Sequence, residues 1–188
     1  MDEIHDDGGR PTSSEPSVDS SGLLGQLVAI LFMAGEGADR GAVQRALDLT
    51  RPQLNRILEL ARQVPIPGLM IQEHGDLLRL VTHPSVSEAV RRFIEAPHAI
   101  RLSGASLETL AVIAYTQPTT RAQIADARGV NSDGPLTTLL QYGLIVEAGH
   151  AETPGRPTLF ETTPDFLTLL GIGSLDDLPS LSASPDAV

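Results

Sequence analysis

The side chains best suited to move protons or hold a metal near neutral pH are five histidines, His5, His74, His83, His98 and His150. They are scattered, and no two share the spacing that would bring two imidazoles to one helix face. The chain has no cysteine, which removes disulfides, thiolate metal sites and thiol nucleophiles together. Neither the G-x-S-x-G nor the Walker A spacing occurs. Glu108 and Tyr115 fall on one expected helix but form no acid–base pair. These letters point to a protein that is not an enzyme and needs no cofactor or metal.

The remaining polar chemistry is that of binding. Arg51, Arg56 and Arg62 lie on one expected helix beside Glu59, where they are candidates for weak contact with DNA phosphates or form an ordinary solvated face. Gly155-Arg156-Pro157 sits at an expected hairpin tip, which could place Arg156 in a minor groove or against a carboxylate. Turn chemistry from Gly and Pro accounts for most of that motif. Arg128 to Asp133 reads as a turn into a helix. Gly129 suits a left-handed position, Asn131 or Ser132 caps, and Asp133 complements the helix dipole. The helix that follows, SDGPLTTLLQY, carries one Asp and no Arg, a poor composition for entering a major groove.

Two segments are apolar almost all round: Leu27 to Ala34 (LVAILFMA) and Leu110 to Tyr115 (LAVIAY). A helix on the surface of a small domain normally shows one apolar stripe. Either these helices are boxed in by their neighbours, or one side of each faces a protein partner. An additional Leu or Ile buried in such a contact contributes about 1.5–3 kcal/mol.

The elements that would position these residues recur. Helical spacing runs from near Ser21 through Leu23, Leu24, Leu27, Ile30 and Leu31, and Gly35 and Gly37 stop it. A second helix is expected from about Asp39 to Leu47. A third is opened by a Thr50/Gln53 capping box and carried by Leu54, Ile57, Leu58 and Ala61 to about Gln63. Leu69-Met70-Ile71 and Leu77–Val81 flank His74-Gly75-Asp76 as a hairpin, and a helix from Pro84, with a Ser85/Glu88 capping box, ends near Glu95. The order then repeats. Ser103 caps a helix to about Tyr115, Thr120/Gln123 boxes one to about Arg128, and another runs from Ser132 to Tyr142. Leu144-Ile145-Val146 and Thr158-Leu159-Phe160 are strands, and Thr163-Pro164 opens a last helix with Phe166, Leu167 and Leu170. Helix-helix-helix-strand-strand-helix, twice, is the pattern of two winged helix-turn-helix modules. The expected class is mainly α with small β-hairpin wings (α+β).

The 188 residues suit one domain or two small ones. Net charge is −11, and the acids concentrate at the ends: residues 1–20 hold six acids and one arginine, residues 172–188 three acids and no base. The body is therefore no basic platform for nucleic acid. No apolar run approaches the ~20 residues that span a bilayer, and the polar, acidic first residues do not read as a secretory signal. A cytoplasmic location without membrane contact is expected. Residues 1–20 read as a disordered acidic arm and 180–188 as a disordered tail.

The stretch from Leu102 to Ile145 resembles the segregation and condensation protein B family, through SLETLAVIAY, QPTTRAQI and RGVNSD in order. The later PGRP, GRPTLFETTPDFLTLLGI and SLDDLP continue the likeness, and VAILFMAGEG fits the family's first helix and turn more loosely. The resemblance implies two winged-helix modules, residues 21–96 for dimerisation and 102–179 for kleisin binding, joined by a linker over 97–101. It implies a homodimer that binds the kleisin, segregation and condensation protein A. Through the kleisin it would serve an SMC ATPase in condensing and segregating the chromosome, in the cytoplasm at the nucleoid. Leu27, Ile30, Leu31 and Phe32 then become dimerisation candidates. Leu107, Leu110, Ile113, Tyr115, Arg128, Asn131, Asp133 and Arg156 become kleisin-binding candidates. Direct DNA binding would be weak or indirect. Two departures, at Leu27-Val28-Ala29 and at Asp76-Leu77-Leu78, fall in the first module. The alternative function is a winged-helix DNA-binding transcription regulator.

Overall fold

The computed structural model describes residues 20–94 and 100–180. The acidic arm expected over 1–20 lies outside the described residues but for Ser20. So do most of the expected linker over 97–101 and the tail beyond Ser180. Among the described residues the fold is mixed α+β, with eight α-helices and small antiparallel sheets.

The first half opens with α1 (Ser20–Ala34). It stops where Gly35 and Gly37 take φ of 62° and 114°. Gly37 has a second reason to be glycine: a Cβ there would lie 2.7 Å from Arg79 Cγ and 2.8 Å from the Leu78 carbonyl oxygen. That close approach seats β1 (Ala38–Asp39) against β3 (Leu77–Thr82). Asp39 then caps α2 (Arg40–Leu47), accepting the Ala42 N–H at 3.0 Å. At the head of α3 (Arg51–Gln63) the Gln53 side chain accepts the Thr50 N–H at 2.8 Å, as the capping box requires. β2 (Leu69–His74) pairs antiparallel with β3 across Gly75-Asp76.

One expected cap fails. A 3-10 turn over Pro84–Val86 precedes α4 (Ser87–Phe93). Ser85 therefore lies inside the turn and not at a helix cap, and its N–H donates to His83 Nδ1 at 3.2 Å. The Ser85/Glu88 box is replaced by a histidine cap.

The second half repeats the order: α5 (Gly104–Thr116), β4 (Thr119–Thr120), α6 (Arg121–Arg128), α7 (Asp133–Gln141), β5 (Ile145–His150), β6 (Thr158–Thr162) and α8 (Pro164–Leu170). Ser103 Oγ accepts the Ser106 N–H at 3.1 Å. Thr120 and Gln123 form their reciprocal box at 3.3 and 2.8 Å. Gly129 closes α6 at φ 68°. A 3-10 turn over Leu175–Asp177 follows α8.

The β structure is more than the pair of hairpins expected. Each hairpin gains a third strand, in the orders β1-β3-β2 and β4-β6-β5. β1 and β4 span two residues each, too few to carry a period that sequence could reveal.

Two hydrophobic cores form, with no buried residue in common. The first centres on Leu27, Leu31, Leu54, Ile57 and Leu78. The second is larger and centres on Ile113, Ile124, Leu139, Phe160 and Leu167. In each, the helix that reads as apolar all round contributes fully buried side chains alongside those of its neighbours. Scarcity of aromatics leaves this work mainly to Leu and Ile.

Candidate protein-interaction surfaces

α1 buries one stripe and exposes another. Leu27 and Leu31, four residues apart, are sealed in the first core, and Ile30 is half-buried. At the C-terminal end Phe32 and Met33 stand 73% and 81% exposed. Of the four dimerisation candidates, Phe32 is therefore the one left in solvent, while Leu27 and Leu31 build the fold beneath it. Met33 was not singled out from sequence. In an unbroken apolar run, nothing but the three-dimensional packing of α1 tells Met33 from Leu31.

α5 divides in the same way. Leu110 and Ile113 belong to the second core. Leu107, 54% exposed, shares an outward face with Ala111 and Tyr115 at i, i+4, i+8. The Tyr115 hydroxyl donates to the Pro179 carbonyl oxygen at 2.6 Å, which leaves the ring partly exposed and its polar end occupied. The α5 surface is thus a narrow stripe with a polar margin.

Arg128 supplies that margin from below. Its side chain is only 6% exposed. It donates to Glu108 Oε2 at 2.9 Å and to Ser132 Oγ at 3.0 Å, tying α5 to the turn between α6 and α7. Its Nε is buried without a partner. Arg128 holds the surface in shape, and Glu108, its partner, stands exposed.

The turn expected to be built from local chemistry is so built. Asn131 Oδ1 accepts the Asp133 N–H at 2.8 Å, and Asn131 Nδ2 donates to Asp133 Oδ2 at 3.0 Å. Arg121 pairs with the same carboxylate. The Asn131 bond and the Arg121 pair hold the Asp133 carboxyl below its ordinary range. Asn131, rather than Ser132, makes the side-chain bond to the start of α7. Arg156 lies exposed at the β5–β6 tip in a left-handed conformation (φ 42°), its N–H bonded to the Thr153 carbonyl at 2.9 Å.

The three arginines of α3 form no ridge. Arg62 donates to Glu73 Oε1 at 3.0 Å, and Glu73 also accepts from Arg40 at 2.7 Å. Arg51 lies 3.8 Å from Asp76. Arg56 is five residues on from Arg51, so it points well away from the shared side of Arg51 and Arg62. Two of the three cations thus face hairpin carboxylates, Arg62 sharing Glu73 with Arg40 and Arg51 meeting Asp76 only loosely in solvent. Among the described residues no cluster of His, Cys, Asp and Glu could hold a metal ion, and no helix is long and apolar enough to cross a membrane.

The family described as segregation and condensation complex subunit ScpB matches residues 25–181, a span that takes in both cores and both exposed helices. The chain belongs to the ScpB family. Segregation and condensation protein B of Oceanobacillus iheyensis is 41% identical over 166 residues, covering 86% of each chain. That of Caldanaerobacter subterraneus subsp. tengcongensis is 40% identical over 160 residues, 84% of this chain and 95% of its own. Among solved structures, ScpB from Mycobacterium tuberculosis is 31% identical, with 83% of this chain and 99% of that one covered, at a TM-score of 0.39. The ScpB match begins inside α1 and ends just beyond Pro179, the residue that receives the Tyr115 hydroxyl. This ScpB-family chain therefore keeps its α5 face and the segment that borders it within one family unit.

Proposed function

We propose that the chain is a non-catalytic scaffold of a bacterial SMC–kleisin complex, a homodimer that binds the kleisin segregation and condensation protein A. In this reading each half is a winged helix. The N-terminal half pairs two copies through the exposed end of α1, and the C-terminal half takes a kleisin segment along α5. ScpB membership supports the complex, and the repeated element order with its matching sheets supports the tandem winged helices. The observation that carries the rest is the uncovered apolar surface at Phe32, Met33 and Leu107, set against an α3 on which Arg51 and Arg62 face hairpin carboxylates and Arg56 points elsewhere. Large apolar side chains left in water gain most by burial in a protein contact. A surface with paired cations gains little from phosphate.

The test is a pair of titrations on the full chain, with light scattering to give its molar mass. A dimer that binds the central segment of the kleisin, and binds duplex DNA weakly and without sequence preference, is expected. A transcription regulator, the competing reading, would bind one operator tightly with steep salt dependence and ignore the kleisin. That outcome would replace the scaffold reading.

A further inference from the structure

The two halves meet along a seam at the margins of both cores, where Ile71 packs on the first and Ile172 on the second. β2 is an edge strand, and its outward side is taken by the segment after α8. The Glu73 N–H donates to the Gly173 carbonyl at 2.7 Å, and Glu73 and Ser174 form a parallel bridge. Beside it Gln72, 1% exposed, donates through Nε2 to the Ile172 carbonyl at 3.0 Å and accepts from Thr168 Oγ1 at 3.1 Å. Arg79 pairs with Asp165 at 2.9 Å, and Arg62 donates to Ser174 Oγ at 3.3 Å. Gly171 comes so close to Pro84 that a Cβ there would lie 2.7 Å from its Cγ. Asp177 Oδ2 accepts both the Gly173 and Ser174 N–H groups at 2.9 Å, fixing the segment's shape.

Most of these contacts are polar, and His74 Nε2 adds one at 3.4 Å to Thr162 Oγ1. Clefts of about 440 and 360 Å³ flank the segment on either side, both lined in part by Met70. Interfaces of this kind within a chain normally permit relative motion unless they are large and hydrophobic. A buried glutamine with both ends of its amide satisfied across the seam is costly to leave unpaired, so the docked geometry is definite.

We propose that Ile172–Ser174 and Gln72 form a reversible latch, which docks the two halves in one orientation and opens without unfolding either core. The latch sets the angle between the α1 surface and the α5 surface. Opening it frees the outward N–H and C=O groups of β2, an edge ready to pair with another strand.

Amide hydrogen exchange on the full-length chain tests this, because the Glu73 N–H has its acceptor on the opposite half. Glu73 should exchange at least about 10-fold slower than an unstructured amide. It should also exchange at least about 100-fold faster than Leu58 and Ile113, whose amides lie in the core helices of the two halves. Gln72→Leu removes both amide bonds and keeps an apolar volume. It should speed Glu73 exchange about 10- to 30-fold while Leu58 and Ile113 change less than about twofold. Asp165→Ala, at an exposed position, should speed Glu73 by about 2- to 5-fold without touching either core. Glu73 exchange as slow as that of Leu58 would mean that the seam opens only with the fold, and the latch is wrong. Glu73 exchange at the unstructured rate would mean that the halves do not dock, and overturns it equally. So would a Gln72→Leu chain in which Leu58 speeds up and Glu73 does so no more.

Discussion

α1 and α5 occupy equivalent places in the two halves, and each feeds the centre of its core with side chains three to four residues apart. Their outward faces differ. α1 ends in Phe32 and Met33, two large apolar side chains left largely in solvent. α5 presents Leu107 and Tyr115 inside a frame of polar groups: the Glu108–Arg128 pair on one side and the Pro179 carbonyl on the other. A blunt apolar end suits contact with a like surface, where shape and area suffice. A narrow stripe with defined polar margins suits an extended or helical segment that must be read in register. One architecture, used twice, thus presents two different chemistries, and the difference lies in residues the fold itself does not need.

The buried side of the comparison should break hardest. Leu31→Ala and Ile113→Ala each leave a cavity in a sealed site and should lower stability by about 2–5 kcal/mol in urea unfolding. Their partners on the same helices, Phe32→Ala and Leu107→Ala, should leave unfolding within about 0.5 kcal/mol of the parent. If Phe32→Ala costs as much as Leu31→Ala in a dilute monomer, the division of α1 into two faces is wrong.

Next comes self-association. Phe32→Ser with Met33→Ser should weaken the dimer by roughly 100-fold or more in sedimentation, given about 1.5–3 kcal/mol for each large apolar side chain buried. The kleisin affinity of the second half should hold. Arg128→Ala follows, because it strips α5 of its tie to α7. Loss of about 1.5–3 kcal/mol in unfolding is expected for hydrogen bonds made by a buried charged group. Arg128→Lys should recover only part, since a single ammonium does not reproduce the two-pronged contact with Glu108 and Ser132.

The smallest effects are in pH. Half-burial at the seam disfavours the charged form of His74 and lowers its pKa from 6.5; a hydrogen bond at Thr162 and the Glu161 carboxylate act the other way. The folded state therefore binds protons less readily than the unfolded one. The stability this represents is complete above 6.5 and is lost as pH falls from there through the depressed folded value. A comparison of urea midpoints at about pH 7.5 and about pH 5.5 should show a drop that His74→Gln reduces. A drop of equal size in the variant would assign the effect to other groups.

Much of the scaffold was legible in the letters. Thr50/Gln53, Thr120/Gln123, Ser103 and Gly129 announced helix ends because capping is local chemistry. The β2–β3 hairpin followed from apolar runs on either side of His74-Gly75-Asp76, although His74 ends β2 and pairs with Leu77. What the sequence hid was non-local. Leu107 and Leu110 are the same letter on one helix, and only packing decides that one is bare and the other sealed. Arg128 reads from its neighbours only as part of a turn into a helix, and its role as a buried tie is hidden because its partner Glu108 lies 20 residues away. Gln72 carries no local signal at all, since its partners Thr168 and Ile172 are 96 and 100 residues distant. Ser85 misled in the other direction. It had the right spacing from Glu88, yet the preceding Pro84 opened a tighter turn.

In the proposed scaffold, α5 grips a protein through the exposed part of its surface. Calorimetric titration of the kleisin's central segment into the full-length chain and into Leu107→Ser tests it most directly. Binding weakened by about 10-fold or more, with an unchanged unfolding midpoint and an unchanged dimer mass, is the predicted result. Equal affinity in the two proteins would contradict it.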